Sequence, residues 1–277
     1  MSPYQDFINR LKLLIKKNPQ LITTTLSNIF TCRLIGNKTH GDLSEIAIAE
    51  FINQFMYDYQ AIHVGKDLFR AKDKEQDIKI KNEITGNEFP VSLKAYGLGP
   101  LQLSTDKNNT MFPALQPLKN KTTDKKTIDN LWQLPAFKNF DDIHILPLIY
   151  DEKEYKCNIL IFNTYKAKNN TKSVTLLTKG HGRKHPVYIF LDKDKNYICE
   201  VRYGDKSANA LQRGLWTNTE KAIEYFDSLT DGWISYQQNK ILVQFFSYAL
   251  IATTEGIELA TEKLKNDIDE QKNNLNK

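Results

Sequence analysis

Cysteine is scarce in this 277-residue chain, and its placement excludes more than it allows. Cys32, Cys157 and Cys199 are scattered, odd in number and free of any Cys-X-X-Cys pair. That pattern excludes a disulfide framework and a cysteine-based zinc site, and it fits reduced thiols in the cytosol. Long apolar runs are missing too: none approaches the ~20 residues that span a bilayer, so no membrane partner is expected. The chain opens MSPYQDF, without the basic segment and apolar run of a secretory leader, and a cytoplasmic location is expected. No G-X-X-X-X-G-K-[ST] loop occurs, which disfavours an NTPase. His40, His63, His144, His181 and His185 form neither a zinc-ligand pattern nor an HNH-type nuclease pattern. Charge of one sign is only mildly in excess: the net charge of +5 permits nucleic-acid binding without requiring it.

What is present reads as globular. At 40% hydrophobic and 26% charged, the chain suits one large domain, or a core with an appended subdomain. Its most informative stretch is Phe69 to Gly99, FRAKDKEQDIKIKNEITGNEFPVSLKAYGLG. Asp77 to Lys81 and Phe89 to Tyr96 alternate with period two around a polar link containing Gly86 and Asn87, which predicts a hairpin. Residues two apart on a strand share a face. Ser92 and Lys94 therefore lie on one side of the second strand and Leu93 on the other. Strand pairing can bring Asp77 beside both. An acid at a strand start with a lysine on the next strand suits metal-assisted phosphodiester hydrolysis. A carboxylate is a hard oxygen ligand for Mg2+, and a lysine can orient water and neutralise developing charge.

Asp77…Ser92-Leu93-Lys94 resembles the PD-(D/E)XK nuclease motif, an acid on one strand followed on the next by acid-X-Lys. The likeness spans about residues 40–102. Two departures stand out: Gln76 precedes Asp77 where the family has Pro, and Ser92 occupies the place of the second acid. Some type II restriction endonucleases are similar in this, with Ser-X-Lys and a displaced Glu. The resemblance implies an α/β fold with a central mixed sheet flanked by helices, a restriction-endonuclease-like core, and a β-rich C-terminal extension. It implies residues 1–110 as nuclease core with N-terminal helices. Residues 111–277 would continue that core, with a β-rich DNA-recognition region and a C-terminal helix in one compact unit. It also implies catalytic roles for Asp77, Lys94, Glu45 and Ser92, with Asp77 and Glu45 holding Mg2+, or Mn2+ as a substitute. The expected partners are double-stranded DNA, a second copy of the chain and a DNA methyltransferase, in a bacterial cytoplasm.

The helix that would carry the displaced acid is LSEIAIAEFINQFM, beginning at Leu43. Leu43, Ala47, Ile48, Phe51, Ile52 and Phe55 sweep a broad apolar arc, with Glu45 and Glu50 on opposite shoulders. Glu45 is the favoured ligand and Glu50 the alternative. Asp42 as N-cap with Glu45 three residues on also reads as a capping box. Ahead of it, Pro3 to Lys17 reads as an amphipathic helix and Gln20 to Phe30 as a second.

Further candidates are DNA contacts. Tyr96 to Lys107 reads as a sharp turn offering Gln102 and Ser104 as donors. Lys179-Gly180-His181-Gly182-Arg183-Lys184-His185 is a basic, glycine-containing loop, where backbone can approach a phosphate and Lys179, Arg183 and Lys184 neutralise it. In the run Arg202 to Thr219, Asn209, Gln212 and Arg213 suit base or phosphate contacts, with Leu215 and Trp216 as anchors. Strands are predicted at Ile143 to Tyr150, Asn158 to Thr164, Ser173 to Thr178, Val187 to Leu191 and Tyr197 to Tyr203. Lys240 to Thr253 is apolar and ambiguous between strand and helix. Beside the restriction enzyme stand a structure-selective repair or recombination nuclease, an inactive DNA-binding module with a nuclease fold, and an unrelated α/β protein.

Overall fold

The computed structural model describes residues 2–35, 40–64, 77–138, 144–178, 185–202, 213–249 and 254–275. Three helices open the chain: α1 (Pro3–Lys17), α2 (Pro19–Ile35) and α3 (His40–Phe55). The Ser2 hydroxyl caps α1 by accepting from the Gln5 N–H, Pro3 takes the first turn, and Lys16 and Lys17 complement the dipole at its end. Its apolar stripe, Tyr4, Phe7, Ile8, Leu11 and Ile15, is buried. On α3 the predicted arc holds at Ile48, Phe51 and Ile52, while Phe55 is exposed. The helix starts at His40, so Asp42 lies inside its first turn and is not the N-cap.

The helices cover one face of a seven-stranded mixed sheet. It runs β1 (Tyr59–His63), β2 (Ile78–Asn82), β3 (Glu88–Tyr96), β6 (His144–Asp151), β7 (Lys156–Ile161) and β12 (Asp227–Ser228), with β13 (Ile234–Ser235) also on β7. Every pairing is antiparallel except β3 with β6. The β2–β3 hairpin turns as read from its link: Asn82 Oδ1 accepts from the Ile84 and Thr85 N–H groups, and Gly86 takes φ +72°.

A second, six-stranded antiparallel sheet contains β4 (Pro100–Thr105), β5 (Lys121–Thr122), β8 (Ser173–Leu177), β9 (Val187–Leu191), β10 (Tyr197–Arg202) and β11 (Gly214–Asn218). Between β4 and β6 lie short helices α4 (Met111–Leu115), α5 (Lys125–Gln133) and α6 (Pro135–Lys138). Later come α7 (Thr164–Asn170), α8 (Thr219–Tyr225), α9 (Lys240–Ala249) and α10 (Thr254–Leu275). The segment read as a turn, Tyr96 to Lys107, is thus mostly strand β4. Leu101 and Leu103 alternate inward, and the chain turns at Gly97 to Gly99 and again at Lys107. Lys240 onward is helical, and the Asn218 side chain caps α8 by accepting from the Lys221 N–H.

Strands β6 and β7 serve two cores by period-two alternation. Leu146, Leu148, Cys157, Ile159 and Ile161 join the helices in the first. Ile145, Ile149, Leu160 and Phe162 face the second, which the antiparallel sheet completes with Leu103, Val201, Leu215 and Phe190. Fully burying such a side chain is worth about 1.5–3 kcal/mol, so the two sheets are joined through the second core, to which β6 and β7 contribute. Among the described residues no helix is long and apolar enough to cross a membrane.

Candidate active site

Asp77 stands one residue ahead of β2. Its carbonyl accepts from the Val64 N–H (2.9 Å) and its own N–H donates to the Val91 carbonyl (3.3 Å), fixing the backbone on both sides. Because Ile78 pairs with Val91, Asp77 comes level with Ser92. The Ser92 hydroxyl donates to Asp77 Oδ2 at 2.8 Å, and the Leu93 backbone N–H donates to the same oxygen at 2.6 Å. Past the last ladder pair, the carboxylate supplies the acceptor that a longer β2 would have given Leu93. Ser92 is 1% exposed, so its hydroxyl needs a partner and has one. Oδ1 of Asp77 takes no hydrogen bond among the described residues.

Val91 and Leu93 point into the first core. By alternation Ser92 and Lys94 project from the opposite face, as the sequence implied. Lys94 is half-buried, lies level with Pro147 of β6, and makes no hydrogen bond or ion pair with any described residue. The cation thus stands two residues from a carboxylate-bonded serine, on the same face of β3.

Glu45 is placed differently. Its Oε2 lies 3.1 Å from His63 Nε2, and the Glu45 side chain is only 13% exposed. His63 is level with Ile78, hence on the helix-covered face. The His63 contact was not legible, because it needs the β1–β2 register and the seat of α3 on β1 together. Glu50 is exposed on α3. Among the described residues no group of three or more His, Cys, Asp or Glu side chains is placed to hold a metal ion. Asp77 alone still offers what Mg2+ takes from a protein: one or two carboxylates, the remaining positions going to water and phosphate oxygens.

The expected DNA contacts divide. Lys179, Arg183, Lys184, Asn209 and Gln212 lie outside the described residues. Gln102 and Arg213 fall together on the second sheet, where Gln102 Nε2 donates to the Arg213 carbonyl at 2.7 Å. Ser104 is buried on β4. The Gly97–Gly99 turn is pinned by Thr219, whose Oγ1 accepts from the Gly99 N–H at 2.7 Å and sits 3.2 and 3.0 Å from the Gly97 and Gly99 carbonyls. On the same sheet Glu200 and Arg202, outside the expected set, come together with the expected anchor Trp216. Arg202 Nε donates to Glu200 Oε1 at 2.7 Å, and the guanidinium lies 4.1 Å from the centre of the Trp216 ring.

Comparison of the chain with protein-family models, curated proteins and solved structures finds no match.

Proposed function

We propose that the protein is a Mg2+-dependent endonuclease acting on double-stranded DNA, of the type II restriction kind. The observation that carries this reading is the Asp77–Ser92–Lys94 register: an acid bonded to Ser92 across adjacent strands and, on the same face of β3, a lysine with no hydrogen bond or ion pair to a described residue. A helix just ahead of a hairpin in a mixed sheet, as α3 is, supports the restriction-endonuclease-like core that the motif resembles. In this reading Asp77 would hold the metal through Oδ1, with water and phosphate oxygens in the remaining positions, while Glu45, expected as the second carboxylate, lies beside His63 on the opposite, helix-covered face. A bound Mg2+ would polarise the phosphoryl oxygen and lower the pKa of its water. Ser92 and the Leu93 N–H fix the Asp77 rotamer. Lys94 orients the attacking water, assists its deprotonation and neutralises charge that develops on the phosphate. An enzyme cutting a two-fold symmetric site would work as a homodimer, since protein symmetry mirrors site symmetry. A methyltransferase would protect the host's own sites.

The test is incubation of the purified protein with phage DNA and Mg2+ beside Lys94→Ala and Asp77→Ala. Wild type is expected to give discrete bands, and each variant to cut slower by about 10²–10⁴-fold or more. Cutting that survives both substitutions overturns the assignment. A smear lost in both variants points to a structure-selective nuclease. A second reading, a DNA-binding module without catalysis, draws on Ser92 in the acid's place and on the structural use of Asp77 Oδ2. Tight binding without cleavage in Mg2+ or Mn2+ would select it.

A further inference from the structure

Arg202 ends β10, and Glu200 precedes it by two residues on the same face. Across the ladder Glu200 faces Trp216 of β11, and Arg202 faces Gly214. Gly214 presents no side chain, so the guanidinium lies diagonally over the indole, 4.1 Å from the ring centre. Glu200 is 1% exposed, and its carboxylate takes the Nε–H at 2.7 Å. Both the plane and one edge of the guanidinium are therefore fixed. The terminal nitrogens Nη1 and Nη2 make no hydrogen bond with a described residue, and the side chain keeps 25% of its surface exposed.

A guanidinium stacked on an aromatic ring and held at Nε has lost most of its rotamer freedom before any ligand arrives. What remains is a planar, permanently charged fork whose geometry matches two oxygens of a phosphate. A lysine in its place would supply charge without the fork, and an unstacked arginine would lose more entropy on binding.

We infer that Arg202, braced by Glu200 and Trp216, is a preorganised phosphodiester contact on the second sheet, taking the nucleic-acid backbone through Nη1 and Nη2. The inference rests on the nucleic-acid part of the proposed function and is independent of the cleavage chemistry. It assigns the second sheet the work of positioning a duplex, because phosphate contacts fix register and carry no sequence information directly.

The experiment is fluorescence anisotropy of a labelled duplex with the full chain in EDTA, titrated between 50 and 200 mM salt. Arg202→Lys is compared with wild type. So is the double variant Glu200→Gln/Arg202→Gln, which avoids leaving a buried carboxylate without its guanidinium. Arg202→Lys should weaken binding by about tenfold at every salt concentration, because charge-assisted bonds are lost while the charge stays. The double variant should weaken it at least as much and lower the slope of log affinity against log salt by about 1, equally for unrelated sequences. Thermal melts of both variants accompany the titration. Affinities unchanged from wild type overturn the inference, as does a loss that only accompanies unfolding. A loss confined to one base pair overturns it in favour of base reading. Arg202-dependent binding with no cleavage in Mg2+ keeps this inference and removes the nuclease. Cleavage that ignores Arg202 does the reverse, and no binding at low salt removes both.

Discussion

The two sheets handle their polar residues in opposite ways. On the mixed sheet, helices cover one face, and β6 and β7 pack into the second core on the other. A polar side chain there must be satisfied within the protein, and Ser92 at 1% exposure is tied to Asp77. Lys94, farther along β3, makes no hydrogen bond or ion pair with a described residue. On the antiparallel sheet Glu200 and Trp216 brace Arg202 at the end of β10 and leave one guanidinium edge outward, while Gln102 on β4, level with Trp216, donates to the Arg213 carbonyl. The first arrangement places a carboxylate and a cation on one face of the sheet, as the proposed hydrolysis would need. The second leaves one oriented guanidinium edge outward, as the inferred phosphate contact would need. The second core packs the two sheets together, so the two proposed roles do not require separate folding units.

The strongest way to break the comparison is Gly214→Ala. Gly214 has φ +114°, and an added Cβ would sit 2.2 Å from the Ser104 carbonyl oxygen and 2.7 Å from the Asp106 nitrogen, both backbone atoms that cannot step aside cheaply. Strain and overlap together should cost about 3 kcal/mol or more, read by urea denaturation. Because β6 and β7 contribute to both cores, unfolding should remain one transition at a lower midpoint. Two separated transitions would show that the sheets fold independently and that the shared strands do not couple them.

Much of this fold was legible from spacing. The first helix, the hairpin, and the strands at Val187–Leu191 and Tyr197–Arg202 follow from period 3.6 and period two with turn residues between them. The Asp77–Ser92 meeting was legible because a hairpin register needs only local pairing. Strand β4 was hidden: Gly97, Gly99 and Pro100 dominate its start, and its partner β11 lies more than a hundred residues away. The Arg202–Trp216 stack was hidden for the same reason, since nothing local says that Gly214 faces Arg202. Asp42 misled because an acid three residues before a Glu imitates a cap when the helix has already begun at His40.

A middle-sized effect sharpens the contrast within the mixed sheet. Ser92→Ala removes a buried hydroxyl that donates to Asp77 and should cost about 1 kcal/mol. Asp77→Ala strips the acceptor from both Ser92 and the Leu93 N–H and should cost about 1–3 kcal/mol. Lys94→Ala removes no hydrogen bond or ion pair to a described residue and should stay within about 0.5 kcal/mol. Guanidinium denaturation curves of the three variants check the ranking. A Lys94→Ala loss as large as that of Asp77→Ala would mean that the lysine belongs to the structural closure and is not held ready for a ligand.

The smallest perturbation compares the two cores without altering the chain. Cys157 lies fully buried in the first core, where burial pushes its thiol up to about 12, and Cys199 lies fully buried in the second, where burial and then Glu200 push its thiol up as well. Cys32 on α2 is only partly covered, and its thiol is raised by the same cause. Thiolate is the reactive form, so a raised pKa and burial both slow alkylation at pH 8, and each buried thiol must wait for its core to open. Maleimide labelling followed by mass spectrometry should therefore modify Cys32 first. If the shared strands make the cores one cooperative unit, Cys157 and Cys199 should then follow at similar opening free energies, both falling together as urea rises. Labelling of Cys199 well ahead of Cys157 would show that the antiparallel sheet opens alone. That outcome would suit a docking surface that adjusts to a duplex while the Asp77–Lys94 site stays fixed.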